Sequence, residues 1–257
     1  MGKDADRNLV ERLRWDEVAS RIESGAAAVL PIGAAAKQHG LHLPMNTDRI
    51  QAEFLAAAIA DRIDALVWPT VCYGYYPAFA EYAGSCSLSA AVFEATVHEI
   101  ASGIVGFGAR ALLVLDTGIS TIDPVDRALE RLDAGNALHL RIHGGPRYRR
   151  TALRLAEQGH GSHADEMETS LMLALAPDLV EMSRAEASPV LKYETPGCLT
   201  PFDVASPNYS RSGSYGDPTL ATPDKGKVLL AAMLDDLIEQ VTNFLGKSAV
   251  PHQGAAP

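Results

Sequence analysis

The chain is expected to fold as one α/β domain, a mostly parallel sheet covered by helices on both faces. Three observations carry this. Short apolar runs alternate along the chain with longer amphipathic stretches, the pattern of strand-helix-strand units. A length of 257 residues, 47% of them hydrophobic, suits one large core better than two small ones. The run Ala111–Leu115 is purely aliphatic, as a strand buried on both faces should be.

Ala27–Ile32 reads as the first strand, ending at Gly33, and Arg49–Ile63 as a helix with Asp48 as its N-cap. Ala65–Val71 is the second strand. Ala90–Phe107 is a long helix opened by Ser89 and closed near Gly108. Ala111–Leu115 is the third strand, Pro124–Leu132 a helix and Ala137–Ile142 the fourth strand. Glu168–Leu175 begins another helix, stopped by Pro177, and Lys225–Leu245 is the terminal one. A single domain over residues 1–248 is expected, with a disordered tail from 249 to 257. The loop Ser206–Asp224, rich in Ser, Pro and Gly, has the length of a lid or a subunit contact.

Several function classes are excluded at this level. A net charge of −10 repels a nucleic-acid backbone, and no basic run offsets it. Met1–Arg14 is charged and lacks an apolar core, so no signal peptide is expected. No stretch approaches the ~20 apolar residues of a membrane span. The three cysteines, Cys72, Cys86 and Cys198, are far apart and read as reduced thiols of a cytoplasmic protein. A small molecule is the expected partner.

Three polar segments fall at or near the carboxyl ends of strands, where ligands of parallel sheets bind. Lys37–Asp48 holds His39, His42 and Asp48, imidazole and carboxylate groups of the kind that bind first-row divalent metals, in a Gly/Pro loop that lets them converge. His160–Ser170 holds two histidines and three acids before an apolar helix. It is either a helix start capped by Asp165 or Thr169, or a further metal carboxylate with a proton-shuttling histidine. Asp116-Thr117-Gly118 has the look of an aspartic protease, but that enzyme needs two such lobes in an all-β fold. A polar turn remains, with Thr117, Gly118 and Ser120 as candidate substrate contacts and Gly118 serving a positive φ or a close approach. In Gly213–Lys227, Tyr215, Asp217 and Thr219 either line a pocket or form a well-bonded surface loop.

These residues resemble the creatininase, or creatinine amidohydrolase, family. "PIGAAAKQHGLHLPMNTD" at Pro31–Asp48 is similar to the family's P-x-G-S-x-E-Q-H-G-P-H-L-P-L-x-T-D. "YAGSCSLS" at Tyr82–Ser89 resembles F-P-G-T-I-S-L-S. "HADEMETSLMLALAPDLV" at His163–Val180 and "GSYGDPTLATPDKG" at Gly213–Gly226 also find family counterparts. The resemblance runs from about Ala27 to Leu245. It implies a three-layer α/β/α domain, often a homohexamer, that hydrolyses a small molecule with one or two divalent metals.

By that resemblance His39 and Asp48 match ligands of one metal, Glu166 is the glutamate that completes the set, and His163 matches the proton shuttle. The other metal's Glu is Lys37 here, and its turn histidine is Gly118, within "DTGIST" where the family has N-G-H-G-G-N. An ammonium beside Asp48 can neutralise it and donate hydrogen bonds, so Lys37 is expected to stand in for that metal. The functional expectation is a hydrolase of a small polar, cyclic substrate, opening an amide C–N or a ketone C–C bond. It would use one divalent ion per chain (Zn, Mn or Fe), with Lys37 and His163 catalytic, and Tyr215 and Asp217 joining the substrate contacts. The alternatives are a binding protein that kept the pocket, or an isomerase or lyase using Lys37.

Overall fold

A computed structural model describes residues 5–132, 135–188 and 198–248. Among these residues the sheet has four parallel strands: β1 (Ala27–Ile32), β2 (Ala65–Val67), β3 (Leu112–Asp116) and β4 (Ala137–Arg141), in the order β2-β1-β3-β4. The helices are α1 (Trp15–Glu23), α2 (Thr47–Ala60), α3 (Ala90–Gly106), α4 (Ile122–Glu130), α5 (Pro146–Leu155), α6 (Glu166–Leu175) and α7 (Pro223–Ser248).

Side chains on a strand alternate between faces, and this alternation builds three layers. Leu113 and Leu115 of β3 join Leu55, Leu171, Met233 and Val241 in one core, beneath α2, α5, α6 and α7. Leu112 and Val114 join Leu30, Phe93, Val97 and Val125 in the other, beneath α3 and α4. Each such side chain, fully buried, contributes roughly 1.5–3 kcal/mol. From β1 the chain crosses to β2 on one side, while β3 lies on the other. The carboxyl ends of β1 and β3 therefore flank a topological switch point, which opens a crevice there. Ile32 pairs with Asp116 at that edge, so both strands end together.

The structure departs from expectation in several places. β2 stops at Val67 because Trp68-Pro69 follows, and a proline supplies no ladder donor; Val71 makes only an isolated bridge to Ile32. Asn46, not Asp48, precedes α2; Asp48 lies in the first turn, its carboxylate turned away from the helix end. Helices α1 and α5, both amphipathic, were not among the expected elements. α5 is basic and polar, and its first turn is capped from another helix: Arg147 N and Tyr148 N donate to Asp236 of α7 at 3.2 and 2.8 Å. The middle of the loop 206–224 is packed into the molecule. Ser210, Ser212 and Ser214 are buried, and the Tyr215 backbone pairs with His163. The expected disordered tail lies outside the described residues.

Candidate metal and catalytic site

The loop leaving β1 carries Lys37, Gln38 and His39 to the crevice. Lys37 Nζ lies 2.6 Å from Asp48 Oδ2, and both side chains are buried. His39 donates from Nδ1 to the Lys37 carbonyl at 2.9 Å, and its Nε2 lies 3.0 Å from Asp48 Oδ1, where it donates when the ring is protonated and carries a lone pair when the ring is neutral. Burial opposes ionisation of Asp48, but the Lys37 ammonium and then the His39 ring outweigh it. The carboxyl is held well below the usual carboxylate range. Gly40 makes the sharp turn after His39 at φ +71°, where a Cβ would also strike the His42 ring at 2.8 Å.

The second wall comes from the segment before α6. Asp165 caps that helix, accepting from Glu168 N at 3.0 Å, and Ala164 takes a positive φ of 46°. This strained conformation turns the Ala164 N–H onto Glu168 Oε2 at 2.6 Å, which fixes the carboxylate. His163 Nε2 lies 2.9 Å from the Gln38 carbonyl. A carbonyl only accepts, so Nε2 carries the hydrogen. The Gln38 amide nitrogen, 3.2 Å from the same atom, donates instead to Gly213 O at 2.9 Å. His163 Nδ1 is thereby left as a lone pair facing Glu168 Oε2 at 3.7 Å. Burial first, then Lys37 and His39, keep this imidazole well below its ordinary pKa, in the neutral form. Phe79 packs on the His163 ring at 4.0 Å and lies under Lys37 Nζ at 5.3 Å.

His39, His163 and Glu168 therefore aim lone pairs at one point, with ligand atoms all within 4.8 Å of one another. His39 Nε2 and Glu168 Oε1 are 3.8 Å apart. Neighbouring ligands on a tetrahedral ion with bonds of ~2.0–2.2 Å are separated by roughly 3.3–3.6 Å. With His39 neutral, a cation placed among these atoms satisfies all of them, and two imidazoles with a carboxylate form a donor set that fits a divalent transition metal.

Glu166, the glutamate expected in this set, faces elsewhere. Its carboxylate accepts from Gln158 N at 2.9 Å and is ion-paired with Lys225. The reason is helical phase: two residues turn an α-helix by about 200°, so Glu166 and Glu168 point to opposite sides. His42 also stands apart. Its Nε2 meets Thr169 Oγ1 at 2.8 Å, and burial, outweighing nearby Glu168, lowers its pKa to about 4.

A cavity of about 820 Å³ opens over the cluster at the carboxyl edge of the sheet. Thr117, Gly118 and Ser120 line it with Lys37, Asp48, His163 and Glu168. Tyr215 and Asp217 do not. Tyr215 holds His163 by its backbone, and Asp217 caps a short helical turn through Thr219 N. Gly118 serves a close approach, not a positive φ: a Cβ there would run into the Thr121 hydroxyl, which donates to Asp116 at 2.8 Å. The cavity also takes in His143 and Arg149, which the sequence reading passed over. Glu168 was within reach of that reading, since recognising Asp165 as the cap sets the helix phase. Arg149 gave no local signal.

A model of the family described as creatinine amidohydrolase matches residues 11–241. The chain belongs to the creatininase family. It is 27% identical over 255 residues to the creatinine amidohydrolase of Pseudomonas putida, covering 91% of this chain and 95% of that one. It is also 27% identical over 240 residues to the mycofactocin precursor peptide peptidase of Mycobacterium tuberculosis, covering 84% and 85%. Among solved structures, a manganese creatininase superposes with a TM-score of 0.77 at 25% identity, over 92% of this chain and 98% of that one. A mutant creatininase of the Zn-Zn type gives 0.74 at 26%, over 91% and 97%. This creatininase-family protein is accordingly a hydrolase, and the metals of these two structures agree with the donor set found here. No helix among its described residues is long and apolar enough to cross a membrane.

Proposed function

We propose that this hydrolase cleaves an amide C–N bond at a site holding one divalent ion per chain, with the Lys37 ammonium in place of a second. The observation that carries the reading is the convergence of His39, His163 and Glu168 on one point beside an ion-paired Lys37 and Asp48. Charge supports a single ion. Asp48 and Glu168 carry two formal negative charges and Lys37 one positive, so one divalent ion brings the group to plus one. The family pattern, with a glutamate in place of Lys37, reaches the same plus one with two ions. The lysine thus replaces an ion and conserves the charge.

When bound, the ion supplies Lewis acidity, polarising a carbonyl and acidifying a water. Lys37, held by Asp48 and resting over Phe79, offers its remaining N–H donors to the carbonyl oxygen as negative charge develops there. His163 is assigned to hold the ion, because its free Nδ1 faces Glu168. Proton traffic from water to the departing nitrogen then falls to His143 on the cavity wall. Burial lowers its pKa and keeps it neutral although Glu168 and Asp48 lie near enough to oppose this.

Metal analysis of protein purified without chelator tests the reading. About one divalent ion per chain is expected, and its removal should abolish amide hydrolysis. Two tightly held ions, or full activity without any, would overturn it. His163→Ala should release the ion; metal retained with turnover lost would return His163 to proton transfer. A homohexamer of cytoplasmic location completes the proposal, and a monomer mass in light scattering at micromolar concentration would contradict the assembly.

A further inference from the structure

Two side-chain cations line the cavity among the described residues, Lys37 and Arg149. Lys37 is committed to Asp48. Arg149 is exposed and has no carboxylate within ion-pair reach among the described residues; only its Nε is engaged, weakly, by the His143 carbonyl at 3.5 Å. Its guanidinium fork is thus available at the mouth of the cavity. Arg149 sits on α5, and four residues on, along the same helix face, is Leu153, 82% exposed. Ala152 lies between them, also on the cavity wall. Ile119, from the turn after β3 and 62% exposed, lines the same mouth. Scattered surface leucines need no explanation, but here two large exposed apolar groups and an unpaired arginine share one cavity rim.

We propose that this rim is a subsite for a free α-carboxylate next to an apolar side chain. Arg149 takes the carboxylate through its planar fork, and Leu153 with Ile119 takes the side chain. The substrate class is then an amide of an apolar amino acid, an N-acyl amino acid or a peptide ending in one. The assignment of the scissile bond rests on the amide-hydrolase reading; the carboxylate subsite itself does not. Water adds its oxygen to the carbonyl carbon and the C–N bond breaks. The acyl part leaves as a carboxylate, and the nitrogen takes a proton to leave as the amine of the amino acid. The cavity size agrees. At about 820 Å³ it is near the upper end of ligand pockets, ~300–1,000 Å³, and far larger than a single small ring requires.

The test is calorimetric binding to the enzyme as purified, with N-acetyl-L-leucine, its carboxamide N-acetyl-L-leucinamide, N-acetylglycine and the tripeptide Ala-Ala-Leu. The carboxylate should bind about tenfold to hundredfold more tightly than the carboxamide, the worth of a charge-assisted contact. Arg149→Met should erase that ratio and Arg149→Lys should keep part of it. Arg150→Met, an exposed neighbour that does not line the cavity, should leave it unchanged. Leu153→Ala should lower the preference for leucine over glycine by a few fold. Tighter binding of the tripeptide than of N-acetyl-leucine would assign the subsite to peptide ends, and the reverse to small N-acyl amino acids; both support it. Equal affinity for carboxylate and carboxamide, or discrimination that survives Arg149→Met, overturns it. If the carboxylate preference holds while no amide is hydrolysed, the hydrolase reading fails and the subsite stands. If amides turn over without that preference, only the subsite falls.

Discussion

Replacing Lys37 with methionine removes an ammonium 2.6 Å from a buried carboxylate while keeping most of the stem volume. Asp48 would retain one partner, the His39 ring at 3.0 Å, and lose its only full positive charge. Breaking a buried pair from one side costs about 3–5 kcal/mol, because the remaining charge is left uncompensated. The sign of the pH dependence follows from Asp48. Its carboxyl is held below the usual range, so its contribution to stability is present above the unfolded carboxylate value of ~3.9 and is lost as pH falls through the folded value. In the variant the ammonium no longer opposes burial and the carboxyl moves up. The penalty is then largest at neutral pH and shrinks as acid protonates Asp48. Urea unfolding of both proteins with chelator present, at about pH 7 and about pH 5, measures this. Turnover of the metal-loaded variant should also fall by about 10²-fold, the worth of one oxyanion donor. A stability loss under about 1 kcal/mol at neutral pH, or one that grows on acidification, would refute the pairing argument.

The two glutamates of α6 should separate cleanly. Glu168→Gln should lower metal content with little change in stability. Glu166→Gln should leave metal content intact but destabilise by about 1–3 kcal/mol in denaturant unfolding, since Lys225 loses its fully buried partner while keeping Glu157 and the Leu220 carbonyl. Lys37→Glu with Gly118→His should still bind no second ion in metal analysis, because a side chain at 118 collides with Thr121. Adding Thr121→Ala removes the colliding hydroxyl, and a second ion bound without that third change would contradict the steric account. In His163→Ala, metal content and turnover should fall together, turnover by 10²-fold or more.

The layered fold was legible in the sequence because burial is periodic. β3 is aliphatic from Leu112 to Leu115, and β1, α3 and α7 announce themselves through composition and length. Ser89 as a cap was also local information, and it does accept from Val92 N at 3.4 Å. The loop chemistry was half legible. Lys37, His39 and Asp48 lie within twelve residues, and the family resemblance together with their charges implied the pairing. Only the tertiary structure decided the rest. Whether Glu166 or Glu168 meets His39 depends on where α6 begins, and one cap bond from Asp165 sets that phase. α5 opens on Pro146 and is built from good helix formers, Arg, Ala and Leu, but its first N–H groups are satisfied by Asp236, from a helix about ninety residues later. That distant cap also places Arg149 and Leu153 at the cavity mouth. Local sequence encodes what neighbouring residues do to one another. The contents of a site at the edge of a sheet depend on contacts that close only when segments from the whole chain meet.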